Sequence, residues 1–266
     1  MRGREAFCSA QPNLERLRRL ARVPADCSLD RTDRETFIVS DQGNYGHTFD
    51  QWRAGAGAVW DDYTRHAFVE GLRTGDLPRQ SFLHYLVQDY VFLVHFSRAW
   101  SLAVVKAETL DEMKVCAGTV DALVNHEMAL HVRTCAEQGI SEETLFNAAE
   151  ADANLAYTRF VMDAGLQGDF LDMMAALAPC VMGYGEIGRR LGQEGAANNA
   201  YQDWIDTYAG ADYQGLCEVV GGMIDTAVAL RLGDQPSTLP RWSHLQARFT
   251  KATALEVGFW TMGLNP

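Results

Sequence analysis

Apolar positions recur at helical spacing from Phe49 onward, and no segment sustains the alternation of apolar and polar residues that marks a strand. FDQWRAGAGAVWDDYTRHAFVEGLRTG sets Trp52, Val59, Tyr63 and Phe68 near one stripe and predicts helix up to Gly75. Gly75-Asp76-Leu77-Pro78 stops that run and starts the next, because proline is tolerated in a first helical turn. SFLHYLVQDYVFLVHFSRAWSLAVVKAE follows, apolar on most faces, as expected of a helix in the middle of a bundle.

Thr109 to Glu112 fits a capping box that opens a helix through about Glu137, closed by Gly139. Ser141 begins a short helical turn, and Ala151–Ala164 forms a further helix broken by Gly165 and Gly168. In AALAPCVMGYGEIGRRL, from Ala175 to Leu191, Pro179 predicts a bend or restart, since proline removes a hydrogen bond to the carbonyl of Ala175. YQDWIDTYAG is a short helix ending at Gly210, and Tyr213–Leu232 carries Val219, Met223 and Val228 as expected core. After a turn at Gly233, Leu239–Met262 closes the chain. The expected fold is all-α, a multi-helix bundle of about eight helices in a single domain, which builds its sites between facing helices.

Residues 1–46 read differently. One short basic amphipathic helix near Leu14 is surrounded by polar and proline-containing sequence, so 1–46 is expected to be a poorly ordered N-terminal extension and 47–266 the helical domain. The alternative for the extension is a targeting or partner-binding arm.

Composition narrows the function. Of 266 residues, 47% are hydrophobic, enough for a sizeable core, and the net charge of −12 argues against nucleic acid as a partner. Six cysteines lie far apart without a CxxC pair, which offers no zinc ribbon or redox motif. The N-terminus has no apolar stretch of signal type, and no uncharged run reaches the roughly 18–20 residues a bilayer requires. A cytoplasmic protein with reduced thiols, bound to no membrane, is the expectation. Serine-nucleophile and phosphate-loop motifs are absent.

Several residues could carry chemistry. Asp89 is a carboxylate inside the most apolar helix, so it is either a structural ion pair or a ligand for an amine-bearing edge. Glu256, in ALEVGFWTMG, is either solvated or buried with a raised pKa that lets it carry a proton near neutrality. Phe259 shares its face, and Gly258 between them suggests close packing. Tyr157 and Tyr208 either orient a ligand or pack in the core. Glu127 and His131, four apart, suit either a metal pair or a structural network. Cys180 shares a face with Tyr184, four residues on, and Gly183 and Gly185 leave room beside that tyrosine, although a buried cysteine is commonly inert.

The motifs GDLPRQSFLHYLVQDYVFLVHF, EMALH, AYT, AALAPCVMGYGEIG, WIDTYAG and EVGFW, in this order from Phe49 to Met262, resemble the TenA family of thiaminase II and aminopyrimidine aminohydrolases. The resemblance implies a heme-oxygenase-like helical fold, a homotetramer, no cofactor and no metal. It implies hydrolysis of aminomethyl-aminopyrimidine, or of thiamine, in thiamin salvage. Carried over by motif, Cys180 would be the nucleophile, Asp89 the acid at the aminopyrimidine, and Glu256 the proton-transfer acid at a ring nitrogen. Tyr157, Tyr184 and Tyr208 would line the pocket or support the cysteine, with Phe92 and Phe259 stacking on the ring. His131 falls where the family has a histidine, without an assigned role. Val181-Met182-Gly183 departs from the bulkier residues expected there, which suggests a wider pocket, and Ala209-Gly210 stands where two glycines are more usual. The competing readings are a metal-dependent oxidase or oxygenase centred on Glu127 and His131, and a non-enzymatic regulator or pyrimidine-binding module.

Overall fold

A computed structural model describes residues 44–266. Twelve α-helices are present among them and no strand: α1 His47–Ala56, α2 Ala58–Thr64, α3 Ala67–Thr74, α4 Arg79–Lys106, α5 Leu110–Ala122, α6 Met128–Glu137, α7 Glu142–Phe146, α8 Asp152–Gln167, α9 Phe170–Glu194, α10 Gln202–Ala209, α11 Ala211–Leu232 and α12 Pro240–Leu264. The all-α expectation holds. The number of segments exceeds about eight because two stretches read as continuous are divided. Gly57, at φ 55°, separates α1 from α2. A π-turn, Leu123–Glu127, separates α5 from α6.

Terminators behave largely as their chemistry requires. Thr109 and Glu112 form the reciprocal capping box at the start of α5. Ser141 caps α7, and Gly139 adopts a positive φ of 79° after α6. Two expectations are corrected. Gly165 lies inside α8 rather than ending it, and Gly168 is the C-cap. Helix α9 runs through Pro179 without restarting, with a second capping box at Asp169 and Asp172. The Pro179 carbonyl accepts a hydrogen bond from the Tyr63 hydroxyl at 3.3 Å.

Helix α9 is the central element. Its apolar run would suit a membrane span by length and composition, yet 94% of that window is buried inside the bundle. It packs against α12, α10, α8 and α11, and α4 crosses the same core. Trp52, Trp100, Trp260, Tyr85 and Phe249 are fully buried around it. On α11, Met223 and Val228 are buried as expected, whereas Val219 is 40% exposed and its neighbour Val220 faces the core. A one-residue error in helical register moves a side chain by 100°, which is enough to exchange the two faces.

The expectation for residues 1–46 lies outside the described residues except at 44–46. There Tyr45 is buried and its hydroxyl donates to Gln214 at 2.5 Å. The backbone amides of His47 and Thr48 are held by Asp225 of α11, which supplies the charge that a helix N-terminus favours.

Candidate active site

Cys180 sits mid-way along α9 with its side chain turned to a small cavity between α4, α5, α9 and α11. Asp89, Phe92, Leu93, Phe96, Glu127, Cys180, Tyr184 and Tyr213 are among its lining residues, and it holds about 380 Å³ of empty space, counting its open mouth. Two buried acids, Asp89 and Glu256, and the half-buried Glu127 converge on this region, and each is held by a hydroxyl.

The carboxylate of Asp89, on α4, accepts from the Tyr85 hydroxyl at 3.1 Å and from His131 Nε2 at 2.6 Å, both at Oδ2. Oδ1 is thereby left for a ligand. Tyr85 lies one turn before Asp89 on the same helix face, which explains the reach. His131 Nδ1 donates to the Glu127 carbonyl at 3.0 Å. Since a carbonyl and a carboxylate can only accept, both ring nitrogens donate and His131 is an imidazolium. Burial opposes that charge, but the hydrogen bond and charge of Asp89 prevail and raise the pKa to about 9.

The carboxyl of Glu256, on α12, is 1% exposed and accepts from the Tyr157 hydroxyl at 2.8 Å. It lies close enough to the Cys180 thiol for each to shift the other's pKa. Burial is the main cause that raises its pKa to about 8, with the charge of Asp89 adding to it, against the lowering by the bonds from Tyr157 and Cys180. Glu256 is therefore largely protonated at neutrality. The same burial, with Glu256, Glu127 and Asp89 nearby, pushes the Cys180 thiol well above its ordinary value. Cys180 rests as a thiol and becomes a nucleophile only as its proton is taken.

Glu127 approaches from the π-turn and accepts from the Tyr208 hydroxyl at 2.9 Å. Tyr208 is set there by a close passage of α10 over α9. A Cβ on Gly188 would fall 2.4 Å from the Tyr208 carbonyl carbon, so only glycine allows it. Glu127 and His131 face different partners, in a network rather than as a ligand pair.

Of the residues singled out in the sequence, Asp89, Phe92, Glu127, Cys180, Val181 and Tyr184 border the cavity directly. Glu256, Tyr157, Tyr208 and Phe259 stand behind that lining. Tyr157 holds Glu256, Tyr208 holds Glu127, and Phe259 backs Phe92 with ring centroids 5.4 Å apart. Two packing expectations are corrected. The room left by Gly183 is filled by Tyr63, whose ring carbon would lie 2.2 Å from an added Cβ, so glycine there does not widen the cavity. Gly258 has no atom within 4 Å of an added Cβ and marks no close packing.

Sequence reasoning missed Tyr85, Tyr63 and Tyr213. Tyr85 was detectable as the i−4 neighbour of Asp89. Tyr213, whose hydroxyl donates to the Val181 carbonyl at 3.2 Å, gave no local signal because α11 meets α9 only through the tertiary fold.

A helical bundle with a buried thiol and the Asp89 carboxyl at one cavity, and the protonated Glu256 carboxyl behind it, defines a class of small-ligand sites built between helices. The sequence model of the TENA/THI-4/PQQC family matches residues 54–265, and the chain belongs to that family. A crystal structure described as a TenA family transcription regulator, from Silicibacter sp. TM1040, is 59% identical with a TM-score of 0.82, covering 84% of this chain and 98% of that one. A protein of Haemophilus influenzae is 40% identical over 208 residues, 77% of this chain and 94% of its own length. An aminopyrimidine aminohydrolase of Halalkalibacterium halodurans is 32% identical over 209 residues, 78% of this chain and 91% of its own.

Proposed function

We propose that this protein is an aminopyrimidine hydrolase of thiamin salvage, converting aminomethyl-aminopyrimidine to hydroxymethyl-pyrimidine and ammonia, with Cys180 as nucleophile. The relatives named aminopyrimidine aminohydrolase support the reaction class. The observation that carries the assignment to residues is that Cys180 and Asp89 border one cavity, with Glu256 held by Tyr157 directly behind it.

Asp89 Oδ1 accepts hydrogen bonds from the amino edge of the pyrimidine, while His131 and Tyr85 hold Oδ2 in place. Phe92 and Tyr184 flank the ring. Glu256 gives its proton to a ring nitrogen and accepts the proton of the Cys180 thiol, so it ends the step protonated as it began. The sulfur forms a bond to the activated ring carbon. The exocyclic C–N bond then breaks with its electron pair passing to nitrogen, and the protonated amine departs as ammonia. Water adds at the methylene and loses a proton, and the C–S bond breaks to restore Cys180. The sum is an alkylammonium ion plus water giving an alcohol plus ammonium. Thiamine would follow the same course with a thiazole as leaving group. The working protein is read as a cytoplasmic homotetramer, which sedimentation would check.

The test is incubation with aminomethyl-aminopyrimidine and, separately, thiamine, following ammonia and hydroxymethyl-pyrimidine. Turnover of the first, abolished by Cys180→Ser, is expected; no turnover of either compound overturns the proposal. A regulatory role has one observation in its favour, the description of the 59% identical relative as a transcription regulator. The net charge of −12 weighs against direct contact with DNA.

A further inference from the structure

Glu127 is not used by the chemistry above, yet it borders the cavity beside Cys180. The helix leading to it changes form there. Leu123–Glu127 is a π-turn in which the Met128 amide reaches back to the Leu123 carbonyl. A wider turn brings residues about four apart onto one face, and both Leu123 and Glu127 line the cavity. Such insertions are uncommon in helices and concentrate where a side chain must be aimed at a ligand.

The partners of this acid are incomplete. Tyr208 donates to Oε1, and no hydrogen bond to Oε2 and no Lys or Arg ion pair to Glu127 is present among the described residues. The one nearby cation, His131, is committed through its ring nitrogens to Asp89 and to the backbone carbonyl of Glu127. The cavity is thus bordered by two acids and, among the described residues, by no Lys, Arg or His, so it has a place for a positive group.

We infer that Glu127 is a specificity-determining residue that receives the positively charged leaving group of the substrate, an alkylammonium or a thiazolium, opposite the edge held by Asp89. This rests on the proposed reaction above. C–N cleavage leaves the electron pair on nitrogen and removes that positive charge. Glu127 therefore favours the bound substrate over the departing neutral amine or thiazole. Its contribution belongs to ground-state binding rather than to the bond-breaking step.

The test compares calorimetric binding of cationic aminomethyl-aminopyrimidine with that of the neutral hydroxymethyl compound in the inactive Cys180→Ser background, alone and combined with Glu127→Gln or Tyr208→Phe, with KM and kcat measured on the single Glu127→Gln variant. Glu127→Gln should weaken the amine at least about tenfold and the neutral alcohol less than about twofold, with KM raised and kcat not lowered. Tyr208→Phe keeps the carboxyl but removes the hydrogen bond that lowers its pKa against burial, so the preference for the amine should persist and weaken as pH falls, which reports on the carboxylate should the first variant fold poorly. Equal weakening of both compounds by Glu127→Gln, no change in either, or loss of the preference in Tyr208→Phe would overturn the inference. Binding is read without turnover, so failure of the hydrolase assay with the amine preference intact separates the two readings.

Discussion

His131 Nε2 lies 2.6 Å from Asp89 Oδ2, with both residues 3% exposed, so the two form a buried ion pair at the edge of the cavity. Removing one partner of such a pair leaves the other charged in a poor solvent, at a cost of roughly 3–5 kcal/mol. His131→Phe should lose about that much stability at pH 6. The His131 pKa, about 9 when folded, exceeds its unfolded value of about 6.5. The stabilisation from its charge is thus complete below about pH 6.5 and lost as pH rises through about 9. Denaturant midpoints measured across that window should fall in the wild type more steeply than in the variant.

The Glu256 proton gives the reaction a basic limit. With a pKa of about 8, raised by burial, the acid form dominates at neutrality and is lost above that value. We expect kcat/KM to fall above about pH 8 in the wild type. Glu256→Gln should lower activity by roughly 10²–10⁴-fold, the usual range for a lost acid–base group, and remove that limb. Because the folded pKa of this acid is raised, stability falls as pH climbs from about 4.3 to about 8, and Glu256→Gln should be relatively more stable than wild type at pH 8.5. A pH–rate profile with paired melting curves checks both.

Cys180 should be a poor target for alkylation in the unliganded protein. Its pKa is raised by burial and by the neighbouring acids, and each unit upward lowers the thiolate fraction about tenfold. Mass-spectrometric labelling with iodoacetamide at pH 8 should modify Cys180 at least about tenfold more slowly than free cysteine. Cys180→Ser should abolish turnover while keeping the fold, checked by circular dichroism, because it preserves side-chain size and replaces the thiol with a far weaker nucleophile.

Two glycines on neighbouring helices should respond in opposite ways. Gly183→Ala forces a Cβ to within 2.2 Å of the buried Tyr63 ring, and overpacking of this kind costs roughly 1–3 kcal/mol. Gly258→Ala meets no atom within 4 Å and should stabilise α12 by about 0.5–1 kcal/mol through helix propensity alone. Thermal melts of the two variants decide the matter, and similar effects from both would contradict the packing around Tyr63.

Local chemistry along the chain determined the helical class and the boundaries at Thr109, Ser141 and Gly210, and singled out Asp89 and Glu256 as acids among apolar residues, because periodicity and capping act over one or two turns; whether Glu256 was solvated or buried was left to the tertiary fold. The spacing of Cys180 and Tyr184 was visible for the same reason. The tertiary structure alone decided which helix face met which. It let α9 run through Pro179, since packing on all sides outweighs one lost hydrogen bond. It filled the gap at Gly183 with Tyr63 from a helix more than a hundred residues earlier. It also set His131 Nε2 on the carboxylate of Asp89 rather than on that of Glu127, because that choice depends on α4 lying across α6, and no spacing within a single helix records where a second helix will pass.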